Sequence, residues 1–277
     1  MAPRSAIVGE GIVFLVVMFV TLIMSRIERR SFGTYGLGGC LRLPQFLAGV
    51  FWGVVCLSLL VGSLKVMGYL QFDGRLLGAV DALRYGSLWA IGALCIALLE
   101  ENMLRGYAQF TLARGLAGIY GAIFPTTRHR HALGFWTAAL VLSFIFGFGH
   151  GSNPGESPIG LWSAGLAGLT FCFALFRTGS LWWAIGIHAA WDWAQSFLYG
   201  VPDSGLMAEG HFFATHPVGK PIFSGGLTGP EGSIFAIVML AVIAAIIAVT
   251  LRQSRRPGEG LSCPDGMLVS NEKFSRE

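Results

Sequence analysis

Apolar residues along this chain fall into seven blocks near the length that crosses a bilayer: Ala6–Ser25, Leu43–Leu64, Ser87–Leu104, Leu133–His150, Gly160–Phe176, Leu181–Tyr199 and Gly232–Leu251. About 20 consecutive apolar residues in a helix span the hydrocarbon core. A helix, unlike an open strand, satisfies its own backbone groups where water is absent. A further stretch, Leu116–Phe124, is glycine-bearing and too short to span, so it reads as re-entrant, interfacial or a partial eighth helix. The pattern predicts an all-α fold: a polytopic membrane bundle of about seven to eight transmembrane helices around a polar, catalytic cavity. Residues 1–256 form one helical domain with its motif core near 87–200. The loop Gly200–Glu231 is rich in Gly and Pro and reads as irregular, and residues 257–277 have the composition of a disordered cytoplasmic tail.

Composition agrees with that setting. The chain is 54% hydrophobic and 12% charged, against about 25% charged in an ordinary soluble domain. Its cations lie in loops between apolar blocks, so the net charge of +4 does not point to nucleic acid. The five cysteines (Cys40, Cys56, Cys95, Cys172, Cys263) are scattered without a CxxC pair, so neither a disulfide framework nor a thiolate zinc site is suggested. Arg26, Arg29, Arg30 and Arg42 follow the first block, Arg114, Arg128 and Arg130 the third, Arg177 the fifth, and Arg252, Arg255 and Arg256 the seventh. The positive-inside rule then places the N-terminus outside and the C-terminus in the cytoplasm. The first block is not expected to be a cleaved signal peptide, since Glu10 interrupts it and only Arg4 precedes it.

Ionisable residues inside the blocks cluster in three places: Glu100, Glu101 and Arg105; His150; and His188 with Asp192. Such residues are costly in a bilayer and usually face a bundle interior or a wet cavity. Glu101 and Arg105 are spaced i,i+4 and share a helix face, as do His188 with Asp192 and Phe146 with His150. Glu100 lies about 100° around the helix from Glu101. One carboxylate can therefore be held by the arginine while the other points elsewhere. Glu101 with Arg105 also fits a purely neutralising pair, and His150 alone fits an interfacial residue. His129, His131, His211 and His216 read as loop residues, and Trp182, Trp183, Trp191 and Trp193 as interface anchors and packing groups. Glu10 receives no role. A carboxylate, two histidines and a further carboxylate on three helices are suited to activating water.

Several hydrolase chemistries are excluded by missing motifs. The chain lacks HExxH, GxSG and GxGD, and with them the zincin, rhomboid-type serine and presenilin-type aspartyl arrangements.

The ordered motifs "EENMLR" (Glu100–Arg105), "FGFGH" (Phe146–His150) and "HAAWD" (His188–Asp192) match EExxxR, FxxxH and HxxxN/D. Across roughly Trp89–Tyr199 the chain resembles the CPBP (ABI) family of intramembrane proteases, which includes CAAX prenyl endopeptidases of the Rce1 type and bacterial immunity-associated proteins. Two features depart from that pattern: "TTRHRH" lengthens the segment between the first two motifs, and Asp192 stands where the prenyl endopeptidases have asparagine. An ionised aspartate only accepts hydrogen bonds, which favours metal ligation over oxyanion stabilisation at that position. The resemblance implies that Glu100 with His150 binds and deprotonates water, and that His188 with Asp192 stabilises the oxyanion. It casts Glu101, Arg105 and Phe146 as supporting residues. Glu100, His150 and His188 are also a workable zinc set, while the family's prenyl endopeptidases resemble metal-free glutamate proteases. The metal question stays open at this level.

The implied partners are a peptide or membrane-protein substrate and the lipid bilayer, in a bacterial plasma membrane. The rival reading is a non-catalytic membrane protein of the same fold, with an immunity, scaffold or proton-relay role. The orientation raises one difficulty: His150 falls at the outer end of its helix while Glu100 and His188 lie mid-membrane. The fourth helix must therefore run deeper, tilt or break, which Gly147, Gly149 and Gly151 permit.

Overall fold

The computed structural model describes residues 1–39 and 41–252. Cys40, Arg255, Arg256, Cys263 and the tail expected to be disordered lie outside the described residues. The chain opens with α1 (Pro3–Ile27) and α2 (Arg42–Val66), followed by a short strand β1 (Leu70–Arg75). Helix α3 (Ala79–Glu100) passes through a π-helical segment, Glu101–Ala108, directly into α4 (Gln109–Ile123). Helix α5 (Arg130–Gly149) ends in a 3₁₀ turn at His150–Ser152, and α6 (Pro158–Thr178) follows. Helix α7 (Trp182–Asp192) runs into a second π segment, Trp193–Leu198. Strand β2 (Phe213–Pro217), the short α8 (Pro221–Ser224) and α9 (Ile234–Thr250) complete the described chain.

Among the described residues, five helices are long and apolar enough to cross a membrane: α1, α2, the continuous 45-residue α3–α4 helix, α5 with its terminal turn, and α6. Two shorter apolar passages, α7 with its π segment and α9, stand in the remaining two predicted blocks. Leu116–Phe124 is neither re-entrant nor a separate helix: all but its last residue belong to α4. A helix of that combined length spans roughly 65 Å, about twice the hydrocarbon thickness, so α4 projects beyond the bilayer core. There it packs antiparallel against the first half of α5, with a Cβ added at Gly134 meeting Ala117 N at 2.7 Å.

The loop read as irregular contains structure. Within it β2 pairs antiparallel with β1, Leu70 opposite Pro217 and Arg75 opposite Phe213, so among the described residues the fold is helical apart from one two-stranded sheet. Hydrogen bonds sort the connections to two sides. The sheet, the turn after α5 and the loop before α9 share one side, joined by Asn153 Nδ2 to Ser204 O (2.8 Å) and Thr228 Oγ1 to Gly155 O (3.1 Å). The α1–α2, α4–α5 and α6–α7 connections share the other, joined by Leu181 N to Gly36 O (2.9 Å) and the Arg114–Glu28 ion pair (3.2 Å).

Helix α7 is the buried axis of the bundle. Trp183 and Ala184 are fully buried, and Ile187 nearly so, among α2, α6 and α9, while the fully buried Ile185 packs with Ala97 of α3. Trp183 is thus a core residue rather than an interface anchor, while Trp182 and Trp193 donate their indole N–H to Leu37 O and Gly86 O. The α2–α7 contact is close because small residues face each other. A Cβ at Gly49 would overlap the carbonyl of Trp183 and lie 2.8 Å from Ile187 N, and one at Gly53 would lie 2.6 Å from Ile187 O. Small residues at such crossings let membrane helices approach backbone to backbone. We expect Gly49→Ala to lower stability by about 1–3 kcal/mol through overpacking, read as a fall in the thermal midpoint of the detergent-solubilised protein. An unchanged midpoint would show that α2 and α7 can slide apart freely. By contrast α1 is 6% buried over its most apolar window and presents Val8, Ile12, Leu15, Val16 and Phe19 outward. That is a lipid-facing surface.

Candidate active site

The three motifs converge. Glu100 closes α3, and the wider π turn begins at Glu101. Single π turns within α-helices frequently mark functional sites. Here Asn102 Nδ2 donates to Leu98 O at 2.7 Å, a side-chain partner for a carbonyl where the helical repeat changes. The two adjacent carboxylates separate as their angular offset predicts. Glu101 is completely buried, and its Oε1 accepts from Arg105 Nη1 (3.1 Å) and His188 Nδ1 (3.0 Å). Glu100 keeps 25% of its side chain exposed and faces a cavity of about 430 Å³.

Arg105 is 2% exposed and sandwiched by aromatic rings. Its Cζ lies 4.1 Å from the centre of Phe146 and 5.8 Å from that of Phe171. The close approach needs glycine on α6, because a Cβ at Gly168 would collide with the guanidinium. Cation–π contacts of this kind gain strength when desolvated. Phe146 thus joins the sites: its ring carries Arg105 and meets the edge of His150 at 4.8 Å, and its carbonyl oxygen takes the His150 Nδ1–H at 2.8 Å. That bond fixes the imidazole with Nε2 free.

His188 is the hub. With Nδ1 bonded to Glu101, its Nε2 is turned to Glu100 Oε2 at 3.5 Å and to Asp192 Oδ2 at 3.6 Å, and Phe171 packs beside its ring at 5.6 Å. Glu100, His150, His188 and Asp192 line the one cavity, which continues past Asp203 and Ser204 to Met207 on the sheet side. The helix carrying His150 does not break but tightens past Gly149 into a 3₁₀ turn. Helix α5 stops at Gly149, Gly147 lets it lie against the backbone of Leu161 and Gly165, and His150 in the turn reaches the cavity from the helix end.

Residues 82–194 match the family model of type II CAAX prenyl endopeptidase Rce1-like proteins. This segment is Rce1-like. It begins within α3, ends two residues beyond Asp192, and so contains every motif residue named above. No curated protein matches the chain, and no solved structure does.

Within the Rce1-like segment the residues do not form a ready metal centre. Among the described residues, no group of three His, Cys, Asp or Glu side chains is placed to hold a metal ion. Zinc ligands must converge at about 2.0–2.2 Å from one point. Each imidazole has its Nδ1 bonded, His188 to Glu101 and His150 to Phe146 O, which leaves each Nε2 available. Glu100, His150 and His188 share the cavity without that convergence, so no chemical step below passes through zinc.

Four other residues enter the picture that the sequence did not single out. Glu10 of α1 lines the cavity with Glu100. Ser196, in the second π segment, donates to Asp203 Oδ2 at 2.9 Å. Glu231 accepts from Ser204 N. Burial pushes the Asp203 carboxyl up to about 6 and, together with the charge of Asp203, holds Glu231 well above the usual carboxylate range. Asp203 and Glu231 come from a loop whose sequence has turn composition and no periodicity, and Glu10 is a single polar residue in an apolar helix. Neither pattern carries a signal of its own. Of the histidines expected in loops, His129 and His211 lie in connections, whereas His131 stands in the first turn of α5 and His216 in β2; His129 and His131 are exposed, His211 bonds Ala208 O, and His216 pairs with Asp73 at the surface.

Proposed function

We propose that this chain is an intramembrane endopeptidase that hydrolyses a peptide bond with water activated by Glu100. The observation that carries the reading is the division of labour between neighbouring carboxylates. Glu101 is sealed, paired with Arg105 and committed to His188, whereas Glu100 is open to the cavity that His150 and His188 also line. A structural ion pair needs one carboxylate, and the second is left for chemistry.

Glu100 takes a proton from a water held between its carboxylate and the free Nε2 of His150. The water oxygen bonds to the scissile carbonyl carbon, and the carbonyl becomes an oxyanion. His188, with a proton on each ring nitrogen, donates Nδ1–H to Glu101 and offers Nε2–H to that oxyanion. Glu100 then passes its proton to the leaving nitrogen as the C–N bond breaks. General-base catalysis of this kind contributes about 10²–10⁴-fold, and removing one oxyanion donor costs about 10²–10³-fold. Asp192 acts as an acceptor that orients His188, a role open to aspartate as well as asparagine.

A proton relay would string Glu100, His150, His188 and Asp192 across the bundle, and their gathering on one cavity supports the hydrolase instead. Arg29 and Arg30 after α1, Arg128 between α4 and α5, and Arg177 in the last turn of α6 share one side, which supports a cytoplasmic placement of that side and of the C-terminus. The cavity then opens on the opposite face, and its substrate is a peptide or membrane-protein segment presented there. The test compares membrane-protein termini in cells producing wild type or His150→Gln at equal levels, by terminal-peptide mass spectrometry. Termini found with wild type and absent with the variant are the expected result. Identical sets across growth conditions would sink the proposal.

A further inference from the structure

Beside the main cavity lies a side chamber of about 80 Å³ that shares His150, His188, Asp192 and Asp203 with it. Its walls are apolar and aromatic, including Phe171, Ile187, Trp191, Leu240 and Ile243, while Asp192, Asp203 and Glu231 stand on its lining. Among its lining residues there is no lysine or arginine, and His150 and His188 are its basic groups. Asp203 and Glu231 each give one oxygen to Ser196 and Ser204 and keep another. The chamber also holds the Ser163 hydroxyl, 3% exposed and without a hydrogen-bond partner in the structure. Buried polar groups are normally paired, so this hydroxyl and the spare carboxylate oxygens mark a place built for a donor.

We infer that the chamber is the subsite for a cationic side chain, lysine foremost, on the substrate residue next to the cleaved bond. The inference rests on the hydrolase reading of Glu100. A metal ion would need three donors converging on a point, and the carboxylates here do not converge. A lysine fits the mixed lining. Its methylenes lie along Ile187 and Leu240, its ammonium can donate to an oxygen of Asp203 or Glu231 and to Ser163, and Trp191 adds an aromatic wall. Entry of a cation also relieves the burial and mutual repulsion that hold Asp203 and Glu231 above the usual carboxylate range. The chamber is small, so the stem begins in the main cavity and only the end of the side chain occupies it.

The test uses the full-length protein in lipid nanodiscs at pH 7 with two probes. Paired peptides differing only in lysine or norleucine are scanned through the positions flanking the cut. One position is expected to favour lysine by about tenfold, the worth of one or two charge-assisted hydrogen bonds. Asp203→Asn with Glu231→Gln keeps the acceptors for Ser196 and Ser204 and should bring that ratio close to one. Separately, n-butylammonium should raise the thermal midpoint of wild type saturably, 1-butanol should not, and the double variant should lose the effect. Stabilisation by the amine without cleavage of any peptide would uphold the subsite and overturn the hydrolase reading alone. Equal cleavage of lysine and norleucine peptides at every position, or equal response to amine and alcohol, would overturn the inference.

Discussion

Glu100→Gln eliminates cleavage by about 10²–10⁴-fold and leaves the thermal midpoint where it is in wild type. Glutamine keeps the shape of the side chain and removes the base. Glu100 is the carboxylate with 25% exposure, and its nearest charged neighbour, His188 Nε2, stands at 3.5 Å, long for a hydrogen bond. Little of the fold depends on its charge. Glu101→Gln behaves in the opposite way, because the same change there strips the acceptor shared by Arg105 and His188 in a fully buried setting. The measurement is paired: terminal-peptide mass spectrometry for cleavage and thermal unfolding of the purified protein for the fold. Retained cleavage in Glu100→Gln would remove Glu100 from the chemistry. Lost cleavage with a collapsed midpoint would make it a structural residue.

The second large effect is on stability. Arg105→Met leaves the buried Glu101 with His188 as its remaining partner, and breaking a buried pair from one side costs about 3–5 kcal/mol. The side chains are 2% and 0% exposed, so solvent screens little of that cost. Methionine retains packing between Phe146 and Phe171, which isolates the charge from the volume. We expect the thermal midpoint to fall sharply and cleavage to vanish, since His188 loses the fixed carboxylate that positions its ring. Adding Glu101→Gln should restore part of the stability, because no uncompensated charge then remains. Arg105→Lys should not rescue, as a compact ammonium cannot both reach Glu101 and lie flat on Phe146. A midpoint unchanged in Arg105→Met would show that the pair is hydrated rather than buried.

Much of the candidate site was legible because helical spacing is a local property. The offset of Glu100 from Glu101, and the i,i+4 relations of Glu101 with Arg105, His188 with Asp192 and Phe146 with His150, all reappear as contacts or shared faces. The three motifs also mark the segment that matches the Rce1-like family. Other features were not local. The hydropathy of Leu116–Phe124 is the same whether that stretch is re-entrant or continues a longer helix, and its joining to α3 through a π segment depends on side-chain bonding such as Asn102 to Leu98. Strands β1 and β2 are separated by more than a hundred residues, so neither could be read from its own short segment.

What the sequence determined by itself was the bundle, its seven apolar passages and the residues worth placing inside it. Hydrophobic length and helical period are written directly in residue order, and the cost of a charge in hydrocarbon marks the exceptions. Only the tertiary structure decided that Glu101 is sealed while Glu100 is open, that the terminal turn of α5 brings His150 to the same cavity, and that Glu10, Asp203 and Glu231 line that cavity or the chamber beside it. Those outcomes depend on which helices touch. Glycine faces at Gly49, Gly53, Gly147 and Gly168 set those contacts by letting backbones and the Arg105 guanidinium approach where any side chain would hold them apart.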